Sequence, residues 1–205
     1  LVDITAFIMG LVITMQSRPT LVEFGAEAWL PKMVSVSLIR EIAPVITALI
    51  CAGKIGSGMG AELGSMRVTE QIDAMEVSGT NPFKYLVVTR VFAAILMIPI
   101  LGVLADAISL YGAYLGCNIH GVVSWQLFWN QVFETNAYTD LIPAVVKTFF
   151  FGLAIGIIGC YKGYTTSKGT EGVGRSANSA VVIASLLVFV LDLIAVQIAD
   201  LLGLT

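Results

Sequence analysis

An all-α polytopic membrane protein is the fold class this sequence predicts, on three observations. Hydrophobic residues make up 57% of the 205 and charged residues only 12%, against about 25% charged in a typical soluble domain, so the apolar surface exceeds what a soluble core can hide. The apolar residues come in runs, at 3–16, 34–56, 86–117, 141–161 and 178–203, and roughly 20 mostly apolar residues cross a bilayer. Basic residues and tryptophans sort onto alternate connections between those runs. The prediction is five transmembrane helices in one membrane domain spanning 1–205, with a cytoplasmic coupling helix and a helix on the outer interface.

The first run, 3–16, is short of spanning length and already under way at Leu1, which is not a start methionine. The chain is therefore expected to begin inside a longer protein, and no signal peptide can be read from it.

The second run, 34–56, leads into GKIGSGMG at 53–60. A phosphate loop needs G-x-x-x-x-G-K-[ST], and Lys54 follows Gly53 and precedes Ile55, so that motif fails. Gly56, Gly58 and Ala61 meet a dinucleotide fingerprint on paper, but the residues before them form a membrane run rather than the strand such a site requires. Gly56 and Gly60 instead form a G-x-x-x-G, joined by Gly53 and Gly64 on a nearby face, which lets two helix backbones approach closely inside a membrane.

Next comes ELGSMRVTEQIDAMEVSGTNP. Val68, Ile72 and Met75 recur at i, i+4 and i+7, with Glu70, Gln71, Asp73 and Glu76 on the other faces, which predicts a short amphipathic helix ended by Gly79 and Pro82. Such a polar knob on an apolar protein suits gripping by a cytoplasmic motor. Glu62, Arg67, Thr69, Glu70, Gln71, Asp73 and Glu76 are its candidate contacts; the plainer role is a surface loop with a helical turn.

The third run, 86–117, precedes the loop SWQLFWNQVFETNAY, where Trp125, Phe128, Trp129 and Phe133 fall at helical spacing. They predict an interfacial helix that serves as a lid over the helix ends or as a docking surface. The fourth run, 141–161, and the fifth, 178–203, flank a basic connection at 162–177.

Lys54, Arg67, Lys84, Arg90, Lys162, Lys168 and Arg175 lie on one side, whereas the other has Arg18 and Lys32 and no basic residue between Cys117 and Tyr138. The excess of positive charge places 57–85 and 162–177 in the cytoplasm and the carboxyl terminus outside. Trp29, Trp125 and Trp129 all fall in the outer connections, as headgroup anchors would.

Cys51, Cys117 and Cys160 show no C-x-x-C spacing, and His120 is the one histidine, so packing rather than metal or disulfide chemistry is expected of them. The net charge of −3 argues against nucleic-acid binding. Arg40, Glu41, Asp106, Lys147 and Asp192 sit within apolar runs, where an unpaired charge costs several kcal/mol, so each needs a partner or a job. Lys147 and Asp192 are expected to pair across the fourth and fifth spans. Asp106 is expected to fix helix register.

The stretch SLIREIAPVITALICAGKIGSGMGAELGSMRVTEQIDAMEVSGTNPFKYLVVTRV, together with FFFGLAIGIIGCYKGYTTSKGTEGVGRSANSAVV, resembles the MlaE (YrbE-type) family of ABC transporter permeases, and with the first run the resemblance covers nearly the whole chain. It implies a homodimeric permease of the bacterial inner membrane, bound to two cytoplasmic ATPase subunits and a periplasmic ring of MCE-domain proteins. Such a permease moves lipids, phospholipid by default, between the inner and outer membranes; fatty-acid or sterol uptake is the alternative. ATP and Mg²⁺ would be held by the partner ATPase, with no cofactor and no catalytic residue in this chain. The resemblance also implies a membrane-surface helix upstream of Leu1. It assigns transport-path roles to Glu41, Lys147 and Asp192, with Arg40 as the neighbour of Glu41. Ile13, Gln16, Thr20, Leu21 and Phe24 would line a lipid cavity at the dimer interface. Family members often carry a larger aliphatic residue where Thr20 stands, so the width of that cavity is an open dimension.

Two other classes compete. An ion-coupled secondary transporter would use Lys147 and Asp192 as a relay, but the internal repeat typical of such folds is missing. A lipid-modifying enzyme would need clustered His or Asp, which one histidine and scattered carboxylates do not supply.

Overall fold

The computed structural model describes residues 1–119, 123–135, 138–167 and 169–203. Among them there is no strand. The helices are α1 (Val2–Glu23), α2 (Glu27–Val68), α3 (Gln71–Val77), α4 (Phe83–Asn118), α5 (Trp125–Thr135), α6 (Tyr138–Tyr164) and α7 (Thr170–Leu201).

Four of these, α2, α4, α6 over Leu141–Tyr164 and α7, are long and apolar enough to cross a membrane. The fifth expected span, 3–16, does form a helix, α1, but is not one of the four. Its helix runs on through Gln16, Arg18 and Glu23, and these polar residues dilute the apolar stretch. The other spans are longer than the apolar runs, because helical hydrogen bonding continues into the polar flanks. Most of the expected cytoplasmic stretch 57–85 is thus helix, and 162–177 shrinks to a short connection before Thr170. His120 and Lys168 lie outside the described residues.

Large apolar side chains stand open all along these helices, among them Phe92, Ile100, Phe150, Ile157, Leu186, Phe189 and Leu193. Only 17% of the most apolar window of α7 is buried. Apolar faces of this extent require an apolar solvent, which a bilayer supplies.

The chain divides into two compact units, whose boundaries fall within helices: Leu1–Thr47 with Ile100–Val146 and Ala195–Thr205, and Ala48–Pro99 with Lys147–Ile194. The first unit is built on Leu30, Val34, Leu38 and Ile39 of α2, Leu110, Ala113 and Cys117 of α4, Phe128 and Val132 of α5, and Ala144 of α6. Within it α1 and α4 touch backbone to backbone: Gly10 faces the Ser109 carbonyl, Gly112 the Phe7 carbonyl, and a methyl on Gly116 would stand 2.9 Å from the Thr14 Cβ.

The second unit has one core of Ala48, Cys51, Ala52, Ala94, Ile98, Phe151, Ile155, Ala184 and Val188. A smaller cluster of Leu63, Ile72, Leu86 and Cys160 lies where α3 packs. All three cysteines are buried in these cores, as their expected packing role requires.

The helix expected over this loop forms as α5, and its four spaced aromatics do not share one environment. Phe128 and Val132 are buried, whereas Trp125 and Phe133 are exposed. The aromatics form a ladder instead, with Trp125 edge-on to Tyr114 and Trp129, and Trp129 stacked on Phe133 at 5.5 Å.

Candidate functional site

The sequence GKIGSGMG is helical throughout, running from a π-helical stretch at Ala52–Gly56 into an α-helical one from Ser57. There is no loop for phosphates, and Lys54 is exposed. A methyl at Gly60 would stand 3.2 Å from the Ala177 Cα and 3.4 Å from the Ala180 Cβ, while the Ser176 hydroxyl donates to the Gly60 carbonyl at 3.0 Å. Gly56 meets α6, where a methyl on Gly159 would lie 3.1 Å from the Gly56 carbonyl oxygen, and Gly64 would bring a methyl 2.8 Å from the Thr166 hydroxyl. Gly56 and Gly60 therefore lie close against α6 and α7, and Gly64 against the connection between them.

Gly53 does not join them. Nothing lies within 4 Å of where its methyl would be, because the π-helical stretch turns it away from the face. Two glycine faces sit on α6: Gly159 and Gly163 meet Met59 and Leu63 of α2, and Gly152 and Gly156 meet Ala94 and Val91 of α4, where a methyl on Gly152 would stand 2.6 Å from the Ala94 carbonyl oxygen. The pairs Gly152/Gly156 and Gly159/Gly163 are two further G-x-x-x-G spacings, a signal legible in the sequence.

The elbow departs from one continuous amphipathic helix. Glu70 adopts φ 59°, a left-handed conformation that interrupts the helix, so Val68 closes α2 and only Ile72 and Met75 belong to α3. The Arg67 guanidinium donates to the Asp73 carboxylate across this break, and the Thr69 hydroxyl donates to the Ser65 carbonyl at 2.9 Å. Ile72 is fully buried, while Gln71, Glu76 and Val77 are exposed. Gly79, at φ 81°, ends α3, and Pro82 caps α4. Glu62 lies on α2 and binds Arg90 of α4 at 2.7 Å, so it braces two long helices and stands outside α3.

Lys147 and Asp192 come together as expected. The Lys147 ammonium donates to the Asp192 carboxylate at 2.9 Å, with side chains 6% and 17% exposed. Arg40 and Glu41, both partly buried, lie in a second π-helical stretch, Leu38–Ile42. Such a widened turn often marks a functional position, and periodicity alone gave no sign of it. Asp106 is buried, in keeping with a structural role.

The five residues expected to line a lipid cavity divide between two faces. Ile13 and Leu21 pack against the core of the first unit, whereas Gln16, Thr20 and Phe24 are exposed. Beside them a groove of about 510 Å³ is lined by Met15, Arg18, Pro19, Val22 and Glu23. Arg18 and Glu27 are bound at 2.6 Å at its edge.

Residues 1–198 match the family described as Permease MlaE. The chain belongs to the MlaE permease family. A probable ABC transporter permease protein of Rickettsia typhi is 40% identical over 189 residues, covering 92% of this chain and 73% of that protein. A probable ABC transporter permease protein of Synechocystis is 40% identical over 187 residues, 91% of this chain and 71% of the other. The intermembrane phospholipid transport system permease protein MlaE of Haemophilus influenzae is 34% identical over 197 residues, 95% of this chain and 75% of that protein. This MlaE family member is thus a multi-pass membrane permease of the ABC transporter class.

Proposed function

We propose that this chain is the membrane subunit of an ATP-driven transporter that moves phospholipids between the inner and outer membranes of a bacterial envelope. The observation that carries the substrate is the likeness to the Haemophilus phospholipid permease over nearly the whole chain. The permease sits in the inner membrane as a homodimer with α1 as the fifth span. A ring of MCE-domain proteins on the outer side receives or delivers lipid, and two cytoplasmic ATPase subunits hold ATP and Mg²⁺.

The elbow supports the energetic half of this reading. Its inner side is anchored by buried Ile72, while its outer side offers the carboxylate of Glu76, the amide of Gln71 and Val77 at 90% exposure. An apolar tip beside acidic groups is a surface suited to a partner's groove. Asp73 is committed to Arg67, so Glu76 and Val77 are the cleaner points of perturbation. Arg40, Glu41, Lys147 and Asp192 serve the transport path, and Gln16, Thr20 and Phe24 face the lipid.

Co-purification tests the assignment. The Glu76→Lys/Val77→Asp permease is expected to insert and dimerise yet to lose the ATPase by roughly tenfold or more, as central interface residues do when altered. Full ATPase recovery would reject the elbow as the docking element. Mass spectrometry of lipid held by the complex is expected to find phospholipid; fatty acid or sterol in its place would overturn the substrate.

A further inference from the structure

We infer that the groove at the end of α1 selects the lipid headgroup, taking a zwitterionic, amine-bearing phospholipid and disfavouring an anionic one; this rests on the phospholipid reading above. The groove, about 510 Å³, combines the apolar walls of Met15, Pro19 and Val22 with Arg18 and Glu23. That volume suits a headgroup with the first part of its acyl chains. Glu27 adds a second carboxylate, because both the Nε and Nη2 of Arg18 donate to its Oε1, at 2.9 and 2.6 Å. The turn between α1 and α2 brings them together, with Gly25 at φ 65° allowing the reversal.

One guanidinium and two carboxylates give the groove a charge of opposite sign at each end of a zwitterion. The planar fork of Arg18 matches a phosphate as well as it matches a carboxylate. Glu27 is half exposed, and ion pairs of that kind hold weakly, so a lipid phosphate can take its place. The released Glu27 and neighbouring Glu23 then face the ammonium of the headgroup. A glycerol headgroup brings no cation, and its phosphate adds a negative charge beside two carboxylates. Like-charge repulsion across about 4 Å of water amounts to roughly fivefold in affinity.

The test uses the full-length permease assembled with its ATPase, equilibrated with vesicles of phosphatidylethanolamine and phosphatidylglycerol in equal amounts and with identical acyl chains. Retained lipid is quantified by mass spectrometry. The wild type is expected to hold phosphatidylethanolamine in roughly fivefold excess. Glu23→Gln/Glu27→Gln is expected to hold phospholipid with that excess cut to about twofold or less, and Arg18→Gln to retain less of both. A wild type that holds the two lipids equally, or favours phosphatidylglycerol, overturns the headgroup selection and leaves phospholipid transport standing. An undiminished excess in the double glutamine variant also overturns it. A wild type that holds no phospholipid overturns both readings, and the wild-type comparison depends on no variant folding.

Discussion

Replacing Lys147 by Met and Asp192 by Asn, singly and together, probes the most deeply placed ion pair in the second unit. The two groups meet at 2.9 Å with 6% and 17% of their side chains exposed. Breaking a fully buried pair by removing one partner costs about 3–5 kcal/mol, because a charge is left in a poor solvent. Each single variant strands one charge where little water reaches, and is expected to lower stability by about 2.5 kcal/mol. The double variant strands neither charge and should cost about 3 kcal/mol, leaving a coupling of roughly 2 kcal/mol. Reversible unfolding of the full-length permease in mixed micelles, followed by circular dichroism over a denaturing-detergent titration, measures all four corners of the cycle. Losses that add within about 0.5 kcal/mol would refute the pairing argument. ATP-driven lipid transfer is expected to fall in all three variants, and full transfer by the double variant would confine the pair to a structural role.

Gly60→Leu should destabilise the permease by about 2 kcal/mol or more, because the side chain has no room against Ala177, whereas Gly53→Leu should stay within about 0.5 kcal/mol. The same unfolding assay separates them, and equal losses would refute the face assignment. At the elbow, Glu70→Gly should be neutral or stabilising by up to about 1 kcal/mol, and Glu70→Val destabilising by about 1–2 kcal/mol, since only the first relieves the left-handed backbone. A stabilising valine would show that Glu70 is not held at positive φ.

Hydropathy found α2, α4, α6 and α7 because bilayer thickness imposes one length on every crossing helix. It stopped short of their ends, since polar flanks continue the helix without continuing the apolar run. The Lys147 and Asp192 pair was legible because two opposite charges in apolar runs leave few other solutions. The elbow was legible as a helix but not as a broken one. Val68, Ile72 and Met75 keep helical spacing, yet left-handed Glu70 falls among them, and a single residue at positive φ leaves no mark on periodicity. Gly53 was misplaced for a related reason. Counting by 3.6 assumes an unbroken α-helix, and the π-helical stretch at Ala52–Gly56 shifts the phase of everything before it. The two faces of α1 were only partly legible: polar Gln16 and Thr20 differ in chemistry from Ile13 and Leu21, whereas exposed Phe24 differs only in what packs against it.

Ile72 gives α3 a mechanical character. It sits fully buried among Leu63 of α2, Leu86 of α4 and Cys160 of α6, so α3 shares one seat with three long helices. Close-packed interiors yield little to compression and pass displacement on. A load applied to the exposed side of α3 is therefore divided among all three helices at once, as a keystone spreads weight, and none of them can be pulled singly. The Arg67 and Asp73 contact spans the break at Glu70, and a displacement of α3 is expected to reach the facing ends of α2, α4 and α6 together.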